Sequence, residues 1–218
     1  ALDGHDGFNQ AKGHAGCGIL PALYAVALEA GGLSDREFLL AMTLGYELAC
    51  RTAIAQHATT PDYHTSGSWV AVAVAVAGVA ARMMGLTQAQ TAHAMGIAEY
   101  HGPRSQMMRC IDYPTMVKDG SGWGAMCGVS AARMAKAGFT GAPTLTLKTA
   151  NWLDLGSDWL IMQQYFKPYP VCRWAQGPIA AVLDLKARYN FESQDIAGIH
   201  IISFHEAVRL GQKNVFTT

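Results

Sequence analysis

The segment Trp69-Val70-Ala71-Val72-Ala73-Val74-Ala75-Val76-Ala77-Gly78-Val79-Ala80-Ala81 limits the fold more than any other stretch of this chain. It holds no charge, so the element it forms must be enclosed. Valine and alanine alternate with the period of a strand. Length points the other way: strands seldom exceed about 10 residues, the pattern extends over 69–84, and alanine is the best helix former. The reading is a buried helix over 69–84. Small residues recur at Ala25, Ala27, Ala71, Ala80 and Ala131 and let helices approach closely. The expected fold is therefore mainly α, a compact Ala/Gly-rich helical bundle.

Ser34-Asp35-Arg36-Glu37 and Thr87-Gln88-Ala89-Gln90 fit the capping-box pattern ahead of apolar residues at helical spacing. Helices are expected over 35–56 and 88–98. Further helices are expected over 17–30, closed by Gly31-Gly32 as a C-cap, over 124–137 and over 177–189. The texture then changes. Ile196-Ala197-Gly198-Ile199-His200-Ile201-Ile202-Ser203-Phe204 is β-rich. It reads as the first strand of a smaller α/β lid domain, which divides the chain into a helical domain at 1–192 and the start of a lid at 193–218.

The 218 residues suffice for one good core. Lys plus Arg and Asp plus Glu are 16 each, and no basic stripe suggests nucleic acid. The longest apolar stretch falls short of the about 20 residues that a bilayer span needs. No membrane partner is expected. Five scattered cysteines without a CxxC pair read as reduced thiols in a cytoplasmic protein, with Cys17, Cys127 and Cys172 as buried small hydrophobes.

Three clusters carry chemistry. Lys118 stands in Met116-Val117-Lys118-Asp119-Gly120-Ser121-Gly122-Trp123-Gly124, a glycine-rich loop ahead of an Ala-rich helix. Backbone N–H groups exposed at Gly120 and the helix N-terminus add to its attraction for an anion. Asp3-Gly4-His5-Asp6-Gly7, followed by Gly13-His14-Ala15-Gly16, sets two carboxylates and two imidazoles among glycines. A histidine held by a carboxylate is a general acid or base at neutral pH. The same residues suit a metal, although no HExxH spacing supports one. His64, in Tyr63-His64-Thr65-Ser66-Gly67-Ser68, precedes the Ala/Val helix, whose N-terminus favours the neutral base. Ser66 and Ser68 read as N-caps. Finally, Lys167-Pro168-Tyr169-Pro170-Val171-Cys172-Arg173 reads as a rigid, extended pedestal that fixes Lys167, Tyr169 and Arg173. Lys118, Lys167 and Arg173 together would suit a substrate with two or three carboxylates.

These stretches, with Ala137-Gly138-Phe139-Thr140-Gly141, resemble the MmgE/PrpD family, which includes 2-methylcitrate dehydratases, cis-aconitate decarboxylases and iminodisuccinate epimerases. The resemblance covers nearly the whole chain. It implies a large all-α domain, a smaller α/β lid, a homodimer and a site without metal or other cofactor. It also places the active-site aspartate on Asp3, the site histidines on His14 and His64, and the site lysines on Lys118 and Lys167. Asp6, Gly120, Tyr169 and Arg173 are expected to bind substrate. Family members carry further helices ahead of the aspartate and a longer lid, so the chain reads as a fragment. Gly7, Ala15, the loop Asp119-Gly120-Ser121-Gly122-Trp123 and Gln176 depart from residues common in the family, and they point away from a straightforward decarboxylase.

The expected activity is a dehydratase-type lyase acting on a small di- or tricarboxylate such as 2-methylcitrate. A proton leaves the carbon next to a carboxylate, the lysines stabilise the enolate, and His14 or His64 moves the proton while Asp3 or Asp6 orients it. An epimerase of a dicarboxylate is the first alternative. A metal-dependent hydrolase and a non-catalytic helical fragment are the others.

Overall fold

The computed structural model describes residues 5–59, 70–104, 106–113, 115–116 and 120–210. Asp3, His64, Lys118, Ser66 and Ser68 lie outside these residues. The described chain is mainly helical. It contains α1 (Gly16–Glu29), α2 (Asp35–Thr59), α3 (Val70–Met83), α4 (Gln88–His101), α5 (Arg109–Asp112), α6 (Ser121–Lys136), α7 (Leu145–Thr149), α8 (Arg173–Tyr189) and α9 (His205–Arg209). Single 3₁₀ turns form at Leu160–Gln163 and Ser193–Asp195.

The Ala/Val segment is a helix, and it is the axis of the bundle. Residues 71–81 of α3 are buried on all sides, with α1, α2, α4 and α6 packed around them. A helix enclosed all round has no polar face to mark its period, which is why valine and alanine alternate so evenly. Each fully buried valine contributes on the order of 1.5–3 kcal/mol over an exposed one. Glycines set the spacing where neighbours touch α3. A Cβ on Gly128 of α6 would stand 2.6 Å from the Ala73 carbonyl oxygen and 2.7 Å from Val76.

The helix ends follow the predicted chemistry. Thr87 and Gln90 close a reciprocal capping box, and the Ser34 hydroxyl accepts the Glu37 N–H at 3.3 Å. After α1, Gly32 N–H donates to the Ala27 carbonyl at 2.8 Å, with Gly31 and Gly32 at φ +83° and +104°. Such angles suit glycine. Several extents differ from expectation. The helix expected from 177 starts at Arg173, and the one expected from 124 starts at Ser121.

α2 is long and apolar enough to cross a membrane by length and composition. It is nonetheless a core helix. It packs against α1, α3 and α7 and carries a buried ion pair, Glu47–Arg51, at 3.0 Å. Arg51 also donates to the carbonyls of Asn151 and Asp158 and to the Asp154 carboxylate, while Glu47 accepts the Ile161 N–H at 3.0 Å. Those bonds fasten the 151–161 segment to the bundle.

The β-rich run behaves differently from its composition. Among the described residues, 196–204 joins no strand ladder, and Ile199, Ile201 and Ile202 are exposed. Strand propensity expresses itself through pairing and packing partners, and among the described residues no second strand meets this run. It lies instead against α8, where Trp174 and Phe204 stack edge to face at 5.3 Å.

Candidate active site

Two short strands that periodicity does not reveal build the site. β1 (Asp6–Gly7) pairs antiparallel with β2 (Tyr165–Phe166), setting Asp6 opposite Phe166 and Gly7 opposite Tyr165. The ladder continues one step further, because the Lys167 N–H donates to the His5 carbonyl at 3.1 Å. This ribbon unites the N-terminal cluster with the head of the Lys167 segment. Gly7 leaves room there for the Tyr165 side chain. A Cβ on it would lie 2.3 Å from the Tyr165 ring and hydroxyl, so the ring would have to move.

His14 hangs from the same ribbon. Its Nδ1 lies 2.6 Å from the Asp6 carbonyl oxygen, and its ring meets the His5 ring edge to face at 4.4 Å. A carbonyl oxygen has no proton to give, so Nδ1 carries the hydrogen and Nε2 holds the lone pair of the neutral ring. Asp6 thus orients His14 through its backbone. Its carboxylate, expected to hold an imidazole or cap a turn, accepts the Gly16 N–H at 3.3 Å and caps α1 from a distance. The Tyr46 hydroxyl lies close to it, both groups crowding the space beside Gly16. Asp6 is buried, as is Lys167 at 8% exposure.

The first turns of three helices meet beside this cluster. A Cβ on Gly18 of α1 would lie 2.4 Å from Val72 in α3 and 3.3 Å from the Ser121 carbonyl oxygen in α6. Gly120 is the N-cap of α6 and is buried. At the far ends, Arg133 of α6 pairs with Glu29 of α1, so these two helices run side by side in the same direction.

The Lys167 segment corrects one expectation. It turns rather than running extended, because the Val171 N–H donates to the Tyr169 carbonyl at 2.8 Å around Pro170. A proline's fixed φ suits such an inverse γ-turn. Gln176, the departure noted above, clamps the turn. Its side chain accepts the Tyr169 N–H at 3.2 Å and donates to the carbonyls of Tyr169 and Val171 at 2.9 Å each. Tyr169 is half-buried.

Arg173 behaves unlike Lys167. It is exposed, and its guanidinium stands 5.0 Å from the centre of the Tyr165 ring. Burial pushes the Tyr165 phenol above its ordinary range, and Arg173 opposes that shift. The cysteines also differ from expectation. Cys172 is exposed and Cys17 and Cys127 are half-buried, whereas Cys50 is buried. Among the described residues no group of three or more His, Cys, Asp or Glu side chains is arranged to hold a metal ion.

Tyr46 and Tyr165 escaped sequence reasoning. Tyr46 falls in an apolar row of α2, and the available signal was that a tyrosine in a core seeks a partner for its hydroxyl.

Residues 1–160 match the MmgE/PrpD N-terminal domain. The chain belongs to the MmgE/PrpD family. The match covers the His14 cluster, α1 to α7 and Leu160, and it ends before the Lys167 segment. A search of curated proteins returned no match. The mainly helical structure agrees with an MmgE/PrpD N-terminal domain, and members of this family are generally enzymes of the dehydratase or epimerase kind.

Proposed function

We propose that this protein is a dehydratase-type lyase that acts on a small di- or tricarboxylate such as 2-methylcitrate, removing a proton from the carbon next to a carboxylate without a metal. The observation that carries the reading is the ribbon contact: a buried lysine and a tautomer-locked histidine share one two-stranded element. The histidine's Nε2 is the base. Lys167 sets a buried cation on the same ribbon as this base, and a carboxylate substrate is the kind of anion such a cation binds.

Proton abstraction leaves a carbanion whose charge moves onto the adjacent carboxylate. Preorganised cations stabilise it, and such electrostatic stabilisation commonly outweighs every other contribution to a step of this kind. Lys167 has this role, with Lys118 as its proposed companion. Gly120, two residues after Lys118, lies at the start of α6, and that helix opens beside Gly18 and α1. His64, Asp3, Asp6, Tyr169 and Arg173 complete the proposed site. Expulsion of hydroxide then gives the dehydrated product. Return of the proton to the opposite face gives an epimerase, the alternative; the departures at Gly7, Ala15, 119–123 and Gln176 point away from a straightforward decarboxylase. A homodimer in the cytoplasm belongs to the same proposal.

The test is a screen of 2-methylcitrate, cis-aconitate and related acids. One acid is expected to turn over, and Lys167→Ala and Lys118→Ala each lower kcat by at least about 10²-fold, as for loss of a preorganised charge stabiliser. Near-normal turnover in both variants refutes the assignment. Activity abolished by a chelator and restored by zinc favours a metal hydrolase instead.

A further inference from the structure

The Asp6 carbonyl takes the Nδ1 hydrogen of His14 at 2.6 Å, so what fixes Asp6 helps to fix the base. β1 is only two residues long and has β2 as its ladder partner. Phe8, 4% exposed, anchors the ribbon by packing, but packing lacks direction. Direction comes from the Asp6 carboxylate, which is held by the Gly16 N–H at 3.3 Å and flanked by the Tyr46 hydroxyl beside the same glycine.

The three groups are crowded together. At Gly16 the space a Cβ would fill is already taken, with the Tyr46 hydroxyl oxygen at 2.1 Å and Asp6 Oδ1 at 2.8 Å. Glycine at this position is what admits the phenol to the carboxylate. Tyr46 stands in the interior of the 25-residue α2, a far stiffer support than a two-residue strand. Burial and then the neighbouring Asp6 charge push the Tyr46 phenol up, so it keeps its proton at neutral pH and has a hydrogen to offer that carboxylate.

We propose that Tyr46 is a positioning residue for His14, acting through the Asp6 carboxylate, so that α2 sets the direction in which the histidine presents Nε2. Gly16 is the necessary third member. The inference rests on His14 being the base of the proposed reaction, but its structural half is measured without substrate.

The experiment records ¹⁵N spectra of histidine-labelled protein, together with steady-state kinetics, for the parent, Tyr46→Phe and Gly16→Ala. In the parent, His14 is expected as the neutral Nδ1–H tautomer. In both variants the His14 signals move towards the tautomer mixture of a free imidazole. kcat falls about 10²-fold, the usual cost of a misplaced catalytic group, while KM changes by less than about threefold because substrate binding is not what was lost. A structural role alone lowers the melting temperature and leaves the tautomer and the kcat-against-KM split in place.

A parent His14 protonated on Nε2 when neutral overturns the inference, whatever the variants do. So does an unchanged tautomer in both variants, and if the parent still turns over a carboxylate, the functional reading stands. If the parent turns over no carboxylate yet Tyr46→Phe still releases the His14 tautomer, the positioning device stands and the lyase reading fails.

Discussion

Cys50 and Tyr46 stand one helical turn apart in α2, and both face the ribbon. Cys50 is 1% exposed. Burial pushes its thiol up to about 12, against a lowering contribution from Gln164, whose Nε2 donates to the sulfur at 3.5 Å. The Tyr46 phenol is raised as well, first by burial and then by Asp6. In the unfolded chain these groups ionise near their ordinary values of 9.0 and 10.0. Between those values and the folded ones the unfolded state binds fewer protons, so stability falls as pH rises. The slope reaches about 1.4 kcal/mol per pH unit for each group. Denaturant melts from pH 8 to pH 11 are expected to show this decline beginning near 9, and Cys50→Ala removes the thiol's share. A flat profile contradicts the burial account.

Elements were legible where local chemistry and packing agree. Thr87 with Gln90, Gly31 with Gly32, and the unbroken Ala/Val run each locate a helix, because caps and total burial leave marks in neighbouring residues. The ribbon was not legible. β1 and β2 are two residues each, and a strand that short has no period. The 151–161 segment likewise depends on partners about 100 residues away. Arg51 looks like one more helical residue of α2, yet it is 3% exposed and bonded to Glu47, Asn151, Asp154 and Asp158. Removing one member of a buried pair strands the other charge. Arg51→Met is therefore expected to cost about 3–5 kcal/mol in urea unfolding, and Glu47→Leu added to it restores part of that loss. A single substitution costing less than about 1 kcal/mol would show that the pair is solvated.

For the whole molecule, the bundle and the family could be read from the chain, whereas the site could be read only as a set of parts. Glycines beside His5, Asp6 and His14 stood out only as unusual composition for a loop, and the structure shows what they make room for: Tyr165 over Gly7, and Tyr46 with Asp6 over Gly16. The direction of His14 was not legible. It depends on a backbone carbonyl, which no residue type encodes. Nor was the contrast between Lys167 and Arg173, because burial of one and exposure of the other follow from a turn that Gln176 ties.

The central claim is that the bundle joins the N-terminal histidine cluster to Lys167 in one site for a carboxylate. Its most direct test is a titration of the protein with 2-methylcitrate or cis-aconitate while the His14 ring nitrogens are observed by ¹⁵N NMR. A saturable shift of the His14 signals that disappears in Lys167→Ala is the predicted result. No His14 shift with any carboxylate, or a shift that persists unchanged without the Lys167 ammonium, contradicts it.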